Sequence, residues 1–584
     1  MDATNRNTAL ATALVEELAR CGVRTAAIAP GSRSTPVALA LLRAPAIETT
    51  SIVDERAAGF FALGAAQASG VPAVVSCTSG TAAANLHPAI CEADEAGVPL
   101  IALTSDRPPE LRSVGAGQTI DQLKLYGDAV RWFCEAGTHD ADDTGLLHLR
   151  SLACRAYFTA TGDPRPGPVH VNLPWRDPLG PAPSPEDVTA TSELAVRGRS
   201  EHPLTAVLSA PATPDDALLD ELAARMARTG RGLIVAGRLP DPAPAAAIAA
   251  LARASGFPIV ADPTSQLRLG SHDRDLVVSP YEPIASARPA PLEPELVIRF
   301  GDLPTSKALR AWLADIEGLD QIVVDPARGW NEPTRRAPTV VRCEPVSLAI
   351  ALSNRLAADG SGEWVSRWLA AASAAGELID AELRELAEPT EPGAHAALGD
   401  LYADGDLVYT ASSMPIRDQE TFLRPGPADV CFLSNRGANG IDGLISSGIG
   451  AAASTRRPTW VITGDLGLHH DMNGLATLRD VEAPVRIVIL NNDGGGIFEH
   501  LPQAKEVSRA EFEALFGTPL GLDPARVASL YGLPFARIGG VGDLGGLDTS
   551  GTLMIEIPID RRRNADLRRR IADRATEVVR GSFR

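Results

Sequence analysis

The sequence lacks the cysteine pattern of a stapled or zinc-bound protein. Its seven cysteines (Cys21, Cys77, Cys91, Cys134, Cys154, Cys343 and Cys431) are scattered, odd in number and contain no C-x-x-C pair. That fits reduced core thiols in the cytoplasm better than a disulfide framework or a zinc site. No run of about 18 apolar residues is present, so no membrane span is expected, and the polar stretch Met1 to Thr8 has no signal-peptide apolar region. Positive charge is in deficit: 54 Lys and Arg against 73 Asp and Glu give a formal charge of -19. Nucleic acid is therefore not an expected partner, and any anionic ligand must be held by a local basic cluster. G-x-G-x-x-G follows none of the strands read in the middle of the chain, which argues against dinucleotide binding there.

What is present points to an α/β fold. At 584 residues the chain exceeds a single core. Short apolar runs, each closed by a Gly-, Pro- or Asp-bearing loop and followed by helical periodicity, predict doubly wound domains with mainly parallel sheets. Three are expected: 1–185, then a Pro/Ser/Glu-rich linker 186–214, then 215–355 and 356–584. Strands are expected at 25–29, 50–53, 73–76, 100–103 and 169–174 in the first, at 233–236, 258–261, 296–300 and 322–324 in the second, and at 407–409, 430–433, 460–463, 487–490 and 553–557 in the third. The Arg-rich stretch 561–574 reads as a solvated helix face.

The chemistry collects at strand ends, where ligands of such sheets bind. Trp460-Val461-Ile462-Thr463 runs into Gly464-Asp465-Leu466, and Ile487-Val488-Ile489-Leu490 into Asn491-Asn492-Asp493-Gly494-Gly495-Gly496-Ile497-Phe498. Gly-Asp alone is a turn and Asn-Asn alone a loop. Each closing a buried strand, one helical crossover apart, Asp465 and Asn492 offer a carboxylate and an amide oxygen to a hard cation whose remaining ligands are phosphate and water. A helix starting near His469 or His470 is expected to point free N–H groups at the same crevice. Asp54-Glu55 opens a helix of small apolar residues with hardly a polar face. A Glu on so buried a helix needs a hydrogen-bond partner and can exchange protons with a ring nitrogen. Pro30-Gly31-Ser32-Arg33, Thr78-Ser79-Gly80-Thr81, Arg107 before two prolines, and Gln118 in a Gly-rich loop close other strands of the first domain. Ser32, Arg33 and Arg107 are candidate anion ligands, whereas His87 and His170 read as structural. Lys307, Ser413, Arg417 and Arg436 occupy equivalent loops of the later domains.

Three α/β domains, a lone Glu at a helix start in the first and a Gly-Asp to Asn-Asn pair in the third resemble the thiamine diphosphate-dependent enzyme superfamily. The loops Pro30 to Pro36, Ser105 to Glu110, Ser413 to Arg417, Ser434 to Gly443 and Asn491 to Phe498 are similar to one branch of it. That branch decarboxylates 2-oxoglutarate and adds the succinyl carbanion to isochorismate in menaquinone biosynthesis. The resemblance implies thiamine diphosphate and Mg2+, or Mn2+ in its place, with Asp465, Asn492 and the Gly494 carbonyl as metal ligands. It implies that Glu55 hydrogen-bonds the aminopyrimidine, that Ile441 wedges between the cofactor rings, and that Pro30, Thr78, Ser413, Gly464, Leu466, Ile497 and Phe498 contact the cofactor. Ser32, Arg33, Arg107, Gln118, Lys307, Ser413, Arg417, Arg436, Ile497, Phe498 and Leu501 would meet the substrates, and the site would lie between subunits of a homodimer or tetramer. Both substrates are dicarboxylates, so several guanidinium groups in an acidic chain make chemical sense. Leu466, Gly117 and Ala308 depart from the family pattern.

Overall fold

The computed structural model describes residues 4–162, 165–327, 329–356, 362–386 and 388–584. It contains three six-stranded sheets, each parallel and flanked by helices. In chain order within each domain, the strands of the first and third sheets lie in the same spatial sequence, 2-1-3-4-6-5, and those of the middle sheet in the sequence 6-5-4-1-2-3. The middle order is the one that binds dinucleotides in other doubly wound proteins, but here its strands end without the glycine fingerprint.

The strands form where the sequence supplies unbroken apolar runs, because a parallel sheet is covered on both faces. Leu100–Asp106 is buried at every position. Alternation still sorts side chains between the two faces: Ile234, Ala236, Ile298 and Phe300 enter one core layer of the middle sheet, and Leu233, Val235 and Val297 enter the other with Trp312 and Trp368. The third sheet packs Val408, Phe432, Trp460, Ile462, Val488 and Ile555 into its own layer.

The chain clusters into two compact units: Met1–Ser209 with Asn435–Thr459 and His470–Val485, and Ala210–Ser434 with Trp460–His469 and Arg486–Arg584. In the first unit, helix Glu55–Ser69 lies against helix Leu444–Thr455 at backbone contact. A Cβ on Gly64 would stand 1.8 Å from the Ser447 carbonyl oxygen, and one on Gly450 would stand 2.0 Å from that of Phe61. Glycine at both positions is what allows the approach. Ala57 through Gln67 are buried without a break, so the helix is enclosed as its composition implies.

Some expectations need correction. Four strands escaped the sequence reading, Trp132–Glu135, Val277–Val278, Thr339–Val341 and Phe535–Arg537, and every one is a sheet edge. The second strand is Glu48–Ser51, two positions earlier than expected, and Val53 is exposed. The helix expected from His469 or His470 begins at Asp465, runs only to Asp471 and continues as the 3-10 segment Met472–Asp480. Strand and helix thus meet at Gly464-Asp465 with no loop between them.

Candidate active site

In the first unit the strand-end loops are interlocked. The Gly31 backbone lies so close to Thr78 that a Cβ would stand 2.3 Å from the Thr78 Cβ. Ser79 Oγ donates to the Gln118 carbonyl at 3.0 Å and accepts from Arg107 Nη1 at 2.6 Å, while Gln118 Nε2 donates to the Ser79 carbonyl at 3.0 Å. Arg107 Nη2 also donates to the Gly117 carbonyl at 3.0 Å. Arg33 is buried, donates through Nη1 to the Trp175 carbonyl at 2.9 Å, and its Nε has no partner among the described residues. Burial first, and the neighbouring Arg107 charge next, hold the Arg33 guanidinium below its usual range. The Asp177 carboxylate, 3.8 Å from Arg33 Nη1, and Asp106 partly offset this. Pro30, Ser32 and Gln118 are exposed.

Glu55 is the first residue of its helix, half-buried, and accepts from Asn85 Nδ2 at 3.2 Å. Asp54 caps the helix by accepting from the Ala57 N–H at 3.1 Å and also takes the Asn473 Nδ2 at 2.9 Å. The loop bearing Arg436 is held by Glu92, whose two carboxylate oxygens accept the N–H groups of Gly437 and Ala438, each at 2.7 Å. Ile441 is half-buried on the same loop.

In the second unit the structure brings Asp465, Asn492 and Gly494 together. Asp465 follows its strand directly, and the nearby backbone N–H groups of Asn492 and Gly494 favour its charged form against the larger effect of burial. Asp465 and Asn492 are both buried, and Asp465 Oδ2 and Asn492 Oδ1 have no hydrogen-bond partner among the described residues. Buried polar atoms are almost always paired, so two hard oxygens left bare at neighbouring strand ends fit a cation. Desolvation pushes the Asp465 carboxyl up to about 6, and an adjacent cation would favour its charged form. Among the described residues no cluster of three or more His, Cys, Asp or Glu could hold a metal. One carboxylate, one amide and one carbonyl make too small a cage for Mg2+ without phosphate and water oxygens, so these residues fit a metal delivered with a diphosphate.

Gly494 has φ +138, and a Cβ there would stand 2.0 Å from the Gly517 carbonyl oxygen. Arg561 Nη1 fastens this loop through the carbonyls of Asp493 at 2.7 Å and Gly517 at 3.0 Å. Phe498 packs on Phe516 in a tilted arrangement, ring centroids 5.5 Å apart, and Ile497 and Leu501 are half-buried beside it in sequence. Ser413 has φ 78, a strained conformation for a serine, and its carbonyl accepts from Arg417 Nη1. Gly464 and Leu466 flank Asp465 and are half-buried. Lys307 starts helix Lys307–Asp315, is exposed, and its side chain forms no hydrogen bond or ion pair among the described residues.

Comparison with known proteins agrees with this geometry. Residues 8–125 match the N-terminal TPP binding domain of thiamine pyrophosphate enzymes, residues 200–391 the middle domain, and residues 429–545 the C-terminal TPP binding domain. The 2-succinyl-5-enolpyruvyl-6-hydroxy-3-cyclohexene-1-carboxylate synthase of Halorubrum lacusprofundi is 40% identical over 619 residues, covering 100% of this chain and 99% of its own. The chain belongs to this synthase family. The synthase of Myxococcus xanthus is 41% identical over 97% of both chains, and that of Bacillus velezensis 40% identical over 91% of this chain and 90% of its own.

The structure of this family member also shows residues that sequence reasoning missed. Asn492 Nδ2 donates to Glu391 Oε1 at 2.7 Å, which turns the amide so that Oδ1 is the bare atom. Glu391 is buried and itself pinned by Asn564, whose Nδ2 donates to Glu391 Oε2 at 3.0 Å and whose Oδ1 accepts the Glu391 N–H at 3.0 Å. Burial first and the nearby Asp418 carboxylate next push the Glu391 carboxyl above the usual range. In the first unit, Gln122 accepts the Gly80 N–H at 2.9 Å and donates to Asn172 Oδ1 at 2.8 Å, bracing the Thr78 loop from behind. Thr390-Glu391-Pro392 reads in sequence as an ordinary capped helix start, and nothing local marks Gln122.

Proposed function

We propose that the chain decarboxylates 2-oxoglutarate and adds the remaining succinyl unit 1,4 to isochorismate, as a thiamine diphosphate- and Mg2+-dependent carboligase of menaquinone biosynthesis. What carries the reading is the full-length likeness to synthases of this name, in a chain whose Asp465 and Asn492 keep two buried oxygens bare. Thiamine diphosphate, when bound, supplies a thiazolium carbon that takes up the charge left by the departing CO2. Asp465, Asn492 and the Gly494 carbonyl would hold the metal, or Mn2+ in its place, and the Gly464 and Leu466 backbone would border the diphosphate.

Glu55 would hold and return a proton at the aminopyrimidine ring, its position fixed by the capped, enclosed helix behind it. Pro30, Thr78, Ser413 and Ile441 would border the cofactor. Arg33, Arg107, Arg417 and Arg436, with Lys307, would receive substrate carboxylates, since guanidinium binds carboxylate in a two-point fork. Ser32, Gln118 and Ser413 add hydrogen-bonding groups, and Ile497, Phe498 and Leu501 would keep water from the reacting atoms. The exposure of Pro30, Ser32 and Gln118 in a single chain supports a site completed by a second subunit, in a homodimer or tetramer. Seven free cysteines support a cytoplasmic location. Among the described residues no helix is long and apolar enough to cross a membrane.

The test is CO2 release from 2-oxoglutarate by purified protein supplied with thiamine diphosphate, Mg2+ and isochorismate. No release under these conditions defeats the proposal, and a preference for pyruvate as donor would move the chain to another 2-oxo acid carboligase activity.

A further inference from the structure

The Arg-rich stretch at the end of the chain is sorted by depth. It forms helix Arg561–Gly581, on which Arg562, Arg563, Arg569, Arg570 and Arg574 are exposed, as a solvated face requires. Arg561 and Arg568 are half-buried, and Asn564 is buried. Positions 561, 564 and 568 follow the i, i+3, i+7 spacing that puts side chains on one stripe of a helix. Each meets a different part of the candidate site. Arg561 Nη1 donates to the carbonyls of Asp493 and Gly517, Nη2 donates to Glu513, and Nε faces Glu499 Oε1 at 3.4 Å. The guanidinium lies so close to this loop that a Cβ on Gly494 would stand 2.1 Å from Nη1. Asn564 holds Glu391 at both its N–H and its carboxylate, and Glu391 in turn holds the Asn492 amide. Arg568 Nε donates to Asp418 Oδ1 at 2.6 Å. Asp418 is buried on helix Met414–Phe422, one position after Arg417.

The helix is anchored on both sides of this stripe. Strand Leu553–Pro558 pairs with Val485–Asn491 as far as Pro558 and Asn491, and the Ile559 N–H donates to the Asn491 carbonyl at 2.8 Å. The first helical turn therefore starts beside the cradle. Farther along, Leu567, Ile571, Ala575 and Val579 recur every four positions and are buried in the core layer that contains Trp312 and Trp368. A side chain carried on a packed helix holds its partner more precisely than one on a loop. We propose that helix Arg561–Gly581 positions the site. Arg561 sets the backbone that presents the Gly494 carbonyl, Asn564 keeps Glu391 on Asn492, and Arg568 sets the helix turn that carries Arg417. This rests on the reading of Asp465, Asn492 and Gly494 as metal ligands and of Arg417 as a substrate group. The effect of each of the three passes through the residue it holds. Without Arg561 the loop loses the fork that ties Asp493 to Gly517, and without Arg568 the Asp418 carboxylate beside Arg417 loses its cation.

The experiment measures two quantities on folded full-length variants: Mg2+ affinity by isothermal titration at saturating thiamine diphosphate, and the KM of each substrate at saturating Mg2+. Arg561→Met should weaken Mg2+ binding by about 10- to 100-fold, the usual effect of losing a group that orients a metal ligand. It should leave both KM values within about twofold, as for independent sites. Arg568→Met, made together with Asp418→Asn so that no buried carboxylate is left unpaired, should do the reverse. The KM that Arg417→Ala raises should rise about tenfold, with Mg2+ affinity within about twofold of the parent. Arg561→Lys and Arg568→Lys keep the charge without the guanidinium fork and take the place of a variant that does not fold, with the same directions expected. A helix that only holds the fold would move both quantities together in both variants, in step with a fall in melting temperature, and that result overturns the proposal. So does a folded variant whose own target quantity is unmoved. Asp465→Ala is the control: if it too leaves Mg2+ affinity unmoved, the reading of the cradle fails and this proposal with it. Loss of Mg2+ affinity in Asp465→Ala but not in Arg561→Met overturns the positioning role alone.

Discussion

Glu391 provides the sharpest test of how the metal cradle is held. Its carboxyl takes the Nδ2 group of Asn492 at 2.7 Å, which leaves Asn492 Oδ1 as the atom available to a cation. Glu391→Ala removes that acceptor and the partner of Asn564 Nδ2 at 3.0 Å. A buried amide donor left unpaired costs about 1–3 kcal/mol, and the Asn492 amide regains a partner only by turning, which withdraws its oxygen from the metal. Residues that orient a metal ligand change metal affinity by about 10- to 100-fold when removed, which corresponds to about 1.4–2.7 kcal/mol. The two figures agree, so Mg2+ affinity should fall by that factor. Glu391→Gln keeps one acceptor oxygen in the same place and should lose less. Isothermal titration of Mg2+ at saturating thiamine diphosphate measures both, with circular dichroism and thermal melting to show that each variant is folded. If folded Glu391→Ala binds Mg2+ within about twofold of the parent, well below the range expected for such a partner, the amide is not held by Glu391 and the reasoning fails.

Three further outcomes follow from the site and its surroundings. Glu55→Gln should lower turnover by about 100- to 10,000-fold, the usual contribution of a positioned proton-transfer group, with melting unchanged; near-parental steady-state rates would contradict the relay. Arg417→Ala should raise the KM for 2-oxoglutarate or isochorismate by about 10- to 100-fold, the worth of a charge-assisted hydrogen bond, while a cofactor titration stays near parental. His170 is buried, lies 2.7 Å from Thr104 Oγ1, and is lowered by burial to about 3. The unfolded chain therefore binds this proton from pH 6.5 downward while the folded one does not, so stability is full above 6.5 and lost as pH falls toward 3. The loss is about 1.4 kcal/mol per pH unit, or roughly 2 kcal/mol at pH 5. His170→Gln should reduce the drop in melting temperature between pH 7.5 and 5, and an undiminished drop would remove His170 as its source.

The interior of each sheet was legible because buried parallel strands contain unbroken apolar runs, as at 100–103 in Leu100–Asp106 and 487–490 in Val485–Asn491. Four of the six edge strands were not, because an edge strand is half-covered and short. Trp132–Glu135 is half-buried at every position, and Val277–Val278 has two residues, so neither produces a periodic signal. Asp465 and Asn492 could be found because each closes a strand, and chain order alone brings neighbouring strand ends together. Glu391 could not, since it reaches Asn492 across 101 positions from a helix start like many others. The helix placed near His469 was mistaken because Gly464-Asp465 reads as a turn, whereas Asp465 is itself the first helical residue.

The glycine-lined contact between helices Glu55–Ser69 and Leu444–Thr455 has a consequence for how the protein is made. Ser454 Oγ donates to the Ala65 carbonyl at 3.2 Å across a separation of 389 positions. At a synthesis rate of about 5–20 residues per second, the first helix waits roughly 20–80 s after leaving the ribosome before its partner exists. Until then the apolar face that carries Phe60, Phe61 and Gly64 has nothing to close over it. The segment that opens with Glu55 is therefore among the earliest made and among the last finished, and its apolar face is open to non-native contacts in the interval.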